Sequence, residues 1–217
     1  MPNFLQEDIY KGKSTLTFHE PRRECKNYLV PFRHCLAEPT PNDKLQDTTL
    51  FQIVDLRDIT KSVLSMIEGL KLLIDVNESF QDRQRGRTGS GASKKQNSKP
   101  RATIDSVNTD EDLGQEGTTN YGGWSSSYRL TLQDCFGNTC YAYEVEPLGF
   151  LRKRSNGFFP IKLGSKIVVN SGTRIIFNTL QLKNENIEFL GGYIMKLDYR
   201  LYERKLKELK EEIHYEG

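Results

Sequence analysis

The chain is poor in the residues that usually carry chemistry. Among its 217 residues are 3 histidines, 4 cysteines and 1 tryptophan. His19 and His214 have no evident carboxylate or serine companion, so they read as surface residues rather than catalysts. No phosphate-binding glycine loop, catalytic triad or Cys-x2-Cys pair occurs. Long apolar runs are also missing. Nothing approaches the roughly 20 apolar residues of a membrane span, and residues 1–20 lack the apolar core of a secretory signal. The expectation is no membrane association, with the cysteines as reduced thiols in cytosol or nucleus. An excess of one charge is absent too. Lys and Arg number 31 against 29 Asp and Glu, a net charge of +2, so no global basic field draws the chain to nucleic acid. Only 36% of residues are hydrophobic, which is low for a chain packed throughout. These absences point to a binding module rather than an enzyme.

What is present is mostly strand pattern. The run YRLTLQD at 128–134 alternates, with Tyr128, Leu130 and Leu132 on one side and Arg129, Thr131 and Gln133 on the other. That is the period of a half-buried strand. CFGN at 135–138 supplies a turn, and 139–145 is β-rich again until Pro147. KIVV at 166–169, TRIIF at 173–177, TLQL at 179–182 and NIEFL at 186–190 follow, separated by turn residues. Strands at this spacing predict a small barrel or sandwich.

Upstream, TLFQIV at 49–54 is another strand. Ile59, Val63, Ile67, Leu70 and Ile74 then recur at helical spacing, predicting a helix over 59–75 capped by Asp58 or Thr60. Residues 81–120 differ in kind, being polar and Gly/Ser-rich with a basic first half and an acidic second half. Such a segment cannot bury enough apolar surface to offset its ordering entropy, and is expected to be disordered alone. It lies between two strands, so it is a loop inside a domain of 48–197. Residues 1–47 contain Pro21, Pro31, Pro39 and Pro41 and read as extended pieces. Residues 198–217 read as a helix, with Tyr202, Leu206, Leu209 and Ile213 on one stripe.

In order, these pieces resemble the first OB-fold of the RecQ-mediated genome instability protein 1 family. The resemblance is carried by LFQIVDLRDITKS at 50–62, YRLTLQD at 128–134, YEVEPL at 143–148, LGSKIVV at 163–169 and LQLKNENIEFLGG at 180–192. It implies a mainly β fold: a five-stranded OB barrel with a helix and long disordered insertion after the first strand, and a C-terminal helix. It also implies a nuclear, non-enzymatic subunit without a cofactor, bound to topoisomerase III and a RecQ-family helicase. Such a subunit promotes decatenation and dissolution of recombination intermediates. The family's insertion reaches toward the topoisomerase and influences its DNA gate; the equivalent here is 60–124. The residues assigned to that contact are Ile67, Leu70, Ile74, Arg83, Arg85 and Arg87, with Lys166 on the barrel. Two departures stand out. The family commonly begins with a small helical bundle, which 1–47 does not resemble. Its larger members carry a second OB-fold, so this chain looks like a short, fungal-type member.

Single-stranded or branched DNA is a further expected partner, bound weakly or through the complex; the alternative is a stand-alone single-stranded nucleic-acid-binding OB-fold protein. OB-folds stack bases on aromatics in a basic groove. The residues for this are Tyr141 and Tyr143, with Arg129, Arg152, Lys153 and Arg154 for phosphates. Core packing competes for the aromatics. Cys135 and Cys140, with Cys25, His34 and Cys35, also permit a zinc reading, against buried reduced thiols.

Overall fold

The computed structural model describes residues 4–10, 27–32, 43–87, 126–152 and 158–215, the side chains of 80–87 excepted. Most of 1–47, and the expected disordered loop from position 88 on, lie outside the described residues. The described residues form two compact units. One is drawn from 1–60, 120–155 and 159–199, the other from 61–119, 156–158 and 200–217.

The first unit is a sheet of eight strands: β1 (Asp43–Lys44), β2 (Thr49–Asp58), β3 (Tyr128–Gln133), β4 (Thr139–Glu144), β5 (Lys166–Val169), β6 (Arg174–Ile176), β7 (Thr179–Leu182) and β8 (Ile187–Gly191). Their order is β1-β6-β7-β4-β3-β2-β5-β8. The strand runs read from the sequence are β2 to β8; the two-residue β1 is an addition, and the sheet has eight strands where a five-stranded barrel is expected. All neighbours are antiparallel except β4 and β7, which run parallel.

β2 organises the sheet because it belongs to two ladders. Its first half pairs with β5, Thr49 opposite Val169 through Gln52 opposite Lys166. Its second half pairs with β3, Ile53 opposite Leu132 and Leu56 opposite Leu130. A bulge between Ile53 and Asp55 shifts the register. Alternation sends Phe51, Ile53, Leu130, Leu132, Ile167 and Leu180 to one face, where all are fully buried. Burying one such side chain contributes roughly 1.5–3 kcal/mol.

Part of the other face is covered by the N-terminal segment. Ile9 is fully buried in a cluster with Leu50, Cys135 and Val168. The backbone N–H of Ile9 donates to the Gln52 side chain, and the Gln52 amide donates to Asp8 and Gln133. Leu5 accepts from the N–H of Tyr193. The chain passes so close there that a Cβ on Gly192 would run into the Leu5 carbonyl. A second tie is Asp134, fully buried at the β3–β4 turn. Its carboxylate accepts from the backbone N–H groups of Phe32 (2.7 Å), Phe136 (2.8 Å) and Asn138 (2.9 Å).

The second unit holds α1 (Val63–Arg87) and α3 (Leu201–Glu212). The sequence predicts a helix over 59–75. The observed one starts later because Ser62 caps it, its hydroxyl accepting from the N–H of Ser65. Ile59 stays outside, its N–H bound to the Ser127 carbonyl. The helix also runs further, since Glu78, Gln81 and Gln84 are good helix formers even where the apolar stripe has ended. Met66, Ile67, Leu70 and Leu73 are buried. The C-terminal helix is broken: a short α2 (Met195–Asp198) belongs to the sheet unit, and Arg200 adopts a left-handed conformation before α3. On α3 the buried residues are Leu201, Lys205 and Leu209, while Ile213 is exposed.

Asp134→Ala would leave three backbone donors without their carboxylate. It should cost about 3 kcal/mol in urea unfolding; a loss within error would show that the turn is held by other contacts. Lys166 supplies a pH test. It is fully buried, and burial pulls its pKa from 10.5 down to about 8, partly opposed by the charges of Asp8 and Glu7. The unfolded chain therefore binds more protons between those two values, and stability rises with pH across that window. Relative to Lys166→Met, the native protein should gain roughly 2 kcal/mol between pH 7.5 and 9.5. A difference that stays constant over that range would contradict the cost assigned to the buried ammonium.

Candidate functional site

Among the described residues, the N-terminal segment covers Lys166 and Gln52, whose amide also reaches Gln133, but not the rest of that outer face. Residues opposite one another in a ladder share a face, so the register lays out the open part directly. Arg57 faces Arg129, Arg129 faces Tyr143, and Tyr143 faces Gln181. Ile176 faces Thr179, which places Arg174, two residues back, beside Gln181, and Arg174 faces Lys44. One row therefore crosses six strands: Lys44, Arg174, Gln181, Tyr143, Arg129, Arg57. At about 4.8 Å per strand it is roughly 24 Å long. Four of its six members are cationic. The next row, two residues along each strand, is Ile176, Thr179, Tyr141, Thr131 and Asp55.

Two like-charge pairs stand directly opposite, Lys44 with Arg174 and Arg57 with Arg129. The Arg129 guanidinium carbon lies 4.5 Å from the centroid of the Tyr141 ring, a cation–π contact that orients both side chains. Tyr141 is 48% exposed. The Arg129 Nε is buried without a hydrogen-bond partner. A tyrosine ring backed by arginine, in a cationic row, can stack a base and hold its phosphate.

The sequence-assigned residues divide. Arg129, Tyr141 and Tyr143 come together. Arg152 does not join them. Its guanidinium donates to the Ser126 carbonyl (2.8 Å) and pairs with Glu144 (2.9 Å), and it lies over the Tyr128 ring. Glu144 and Tyr128 are buried by alternation on the opposite face to Tyr141 and Arg129, so Arg152 is a staple for the chain entering β3. Glu144 also accepts from the N–H of Tyr128 and of Leu148. The Tyr128 hydroxyl is pushed up by burial first and by the charge of Asp58 second. Lys153 and Arg154 lie outside the described residues.

Lys166 is not a surface contact. Its ammonium donates to the Gly164 carbonyl at 2.6 Å under the N-terminal segment. Ile67 and Leu70 are buried as well, and cannot be offered to a partner by α1 as it stands. Ile74 is half-buried. With Leu206, Lys210, His214 and Tyr215 it lines a groove of about 610 Å³ between α1 and α3. Among the described side chains of α1, the exposed large apolar ones are Leu64 and Leu72. Arg83, Arg85 and Arg87 fall in its last turns, with side chains outside the described residues.

The residues that sequence reasoning missed are Arg57, Arg174 and Lys44. A count of alternation along 49–58 places Arg57 with Phe51 and Ile53, but the bulge reverses that parity. Lys44 and Arg174 join the row only through β6 and β1, which are too short to show a period. Among the described residues no cluster of three metal-ligating side chains occurs, and Cys135 and Cys140 are buried free thiols.

This architecture matches known proteins. A family model described as the RMI1 N-terminal OB-fold domain matches residues 31–204. The chain is 30% identical over 149 residues to the RecQ-mediated genome instability protein 1 of Saccharomyces cerevisiae. That match takes in 66% of this chain and 58% of the yeast protein. With strands, insertion and closing double glycine all inside the matched span, the chain belongs to the RMI1 family and carries its N-terminal OB-fold domain.

Proposed function

We propose that this chain is a nuclear, non-catalytic genome-stability subunit that docks on topoisomerase III together with a RecQ-family helicase. There it promotes decatenation and the dissolution of recombination intermediates. The observation that carries the reading is the placement of the insertion. Between β2 and β3 the chain leaves the sheet, forms the helix α1, and returns 40 residues after Arg87 at Ser127. Both ends are fixed where the Ile59 N–H meets the Ser127 carbonyl at 2.8 Å. A long segment on a fixed base can reach a partner without loosening its frame, because closure entropy grows slowly with loop length. α1 supplies the docking face through Leu64 and Leu72, replacing the buried Ile67 and Leu70. The subunit acts by binding one gate state of its partner better than the other.

A second reading is favoured by the exposed Tyr141 ring backed by Arg129 on the outer sheet face. In it, the open sheet face holds a single strand of nucleic acid, with phosphates over Arg57, Arg129, Arg174 and Lys44 and a base on Tyr141. The two readings are compatible, since a gate subunit that also holds a strand works on the same substrate as its partner.

Changing Leu64 and Leu72 together to Asp should weaken co-elution with topoisomerase III by about tenfold or more, with the melting temperature unchanged; undiminished co-elution would remove α1 from the interface. Deleting 88–119 should abolish stimulation of decatenation while co-elution persists. If stimulation survives, the insertion has no gate role. For the sheet face, Arg129→Ala combined with Tyr141→Ala should weaken binding of a fluorescent single-stranded oligonucleotide by about tenfold. It should also flatten the salt dependence by roughly one phosphate contact. An unaltered salt slope would sink that reading.

A further inference from the structure

Residues 4–10 lie on the sheet as a strap rather than as a strand. They begin in a short 3-10 turn, Phe4–Gln6, and add no ladder to the sheet. Point contacts hold them. The Leu5 carbonyl accepts from the N–H of Tyr193 at 2.9 Å. The N–H of Ile9 donates to the Gln52 side chain at 3.1 Å, and Asp8 Oδ1 accepts from the Gln52 amide at 2.9 Å. The Ile9 side chain plugs the cluster of Leu50, Cys135 and Val168. Beyond it the Tyr10 ring lies on the β3–β4 turn, so close that a Cβ on Gly137 would meet it at 2.8 Å. A segment tied by a few such contacts can open without breaking the sheet, as a unit smaller than the whole domain.

What lies beneath works against closure. Lys166 is fully buried, and its ammonium donates to the Gly164 carbonyl at 2.6 Å. A buried ammonium needs a close counter-charge to offset its lost hydration. Asp8 and then Glu7, both on the strap, are the opposite charges that act on it. Asp8 Oδ1, however, is already engaged by Gln52 and by the N–H of Tyr10. The ladder neighbours of Lys166 are neutral, Gln52 on β2 and Gly191 on β8. The next ionisable groups on the elements around it are Glu188, opposite Val168, and Lys162, which lies over the Tyr193 ring. Desolvation outweighs the attraction of the strap, and burial pulls Lys166 down to about 8. Opening the strap returns water to the ammonium and closing it takes that water away, so closure and the charge on Lys166 oppose each other.

We propose that residues 4–10 are a strap that opens as a unit, and that Lys166 is its latch: the strap is loosened while the amine is protonated and locked when the amine is neutral. Opening uncovers Leu50, Val168 and Cys135, so exposure of that apolar patch follows the charge of the lysine. With Lys166 in water the open form keeps its proton up to the ordinary 10.5, whereas the closed form releases it at about 8. The open form therefore holds more protons between those values, and closure gains as pH rises across them. Between pH 7 and 9 the closed-to-open ratio rises about tenfold.

Quench-flow hydrogen exchange on the full chain, read by NMR, tests this. The N–H groups of Ile9 and Tyr193 report the strap, and that of Leu130, in the middle of β3, reports global opening. In the native protein at pH 7 Ile9 and Tyr193 should exchange alike, faster than Leu130, and with little dependence on low urea. Lys166→Met, neutral and of similar length, should raise the protection of both by the same factor, about tenfold or more at pH 7. After correction for intrinsic exchange, native protection at the two sites should rise about tenfold from pH 7 to 9, and that of the variant should stay flat. Other groups that titrate in this range do so in both proteins, so the difference reads Lys166. Exchange of Ile9 and Tyr193 only together with Leu130 would show that no strap opens. Unequal factors at the two sites would show that it does not open as a unit. Unchanged or lower protection in the variant would remove Lys166 as the latch. Should the variant not fold, the native pH series decides alone, and a flat series overturns the proposal.

Discussion

β2 has to satisfy two neighbours along one strand, and the rest of the molecule follows from that. Its backbone groups are shared between β5 over Thr49 to Gln52 and β3 from Gln52 onward. An unpaired buried backbone group costs about as much as a lost hydrogen bond, so the sheet forms only when segments more than a hundred residues apart are in place. The insertion between β2 and β3 is therefore held at its base by the ladder itself. The hydrogen bond from Ile59 to Ser127 continues the pairing just beyond Asp58 and Tyr128.

The same strand divides the outer face in two. On the half shared with β5, Gln52 and Lys166 are too buried to meet water, and the N-terminal segment supplies what water would have given. Asp8 and the N–H of Ile9 satisfy Gln52, and the charges of Asp8 and Glu7 partly compensate the lysine. On the half shared with β3, the described residues leave the arginine–tyrosine rows open. The bulge after Ile53 is the hinge between the two halves. It turns Arg57 onto the same face as Arg129, which an unbroken alternation would not do.

This explains what was legible in the sequence. The strands of the barrel showed because YRLTLQ and its neighbours keep a strict period of two, and turn residues separate them. Arg129, Tyr141 and Tyr143 could be placed on one face for the same reason. Lys166 is assigned to the partner contact by the family resemblance of LGSKIVV at 163–169, not by any pattern of burial. Its cover comes from residues about 160 positions earlier, and no local pattern encodes that. Arg152 looked like a member of a basic run, yet its fate was fixed by Glu144, a buried carboxylate that alternation places on the inner face. Ile67 and Leu70 belong to the stripe that a helix buries in its own unit. Leu64, which by spacing widens that stripe, is exposed all the same, and the exposed Leu72 lies off it.

A net charge of +2 gives the chain no long-range pull on nucleic acid, so any binding must come from local arrangement. The cationic row is such an arrangement. Within it the Tyr141 ring lies against Arg129, a contact that orients both side chains and leaves the positive field in place.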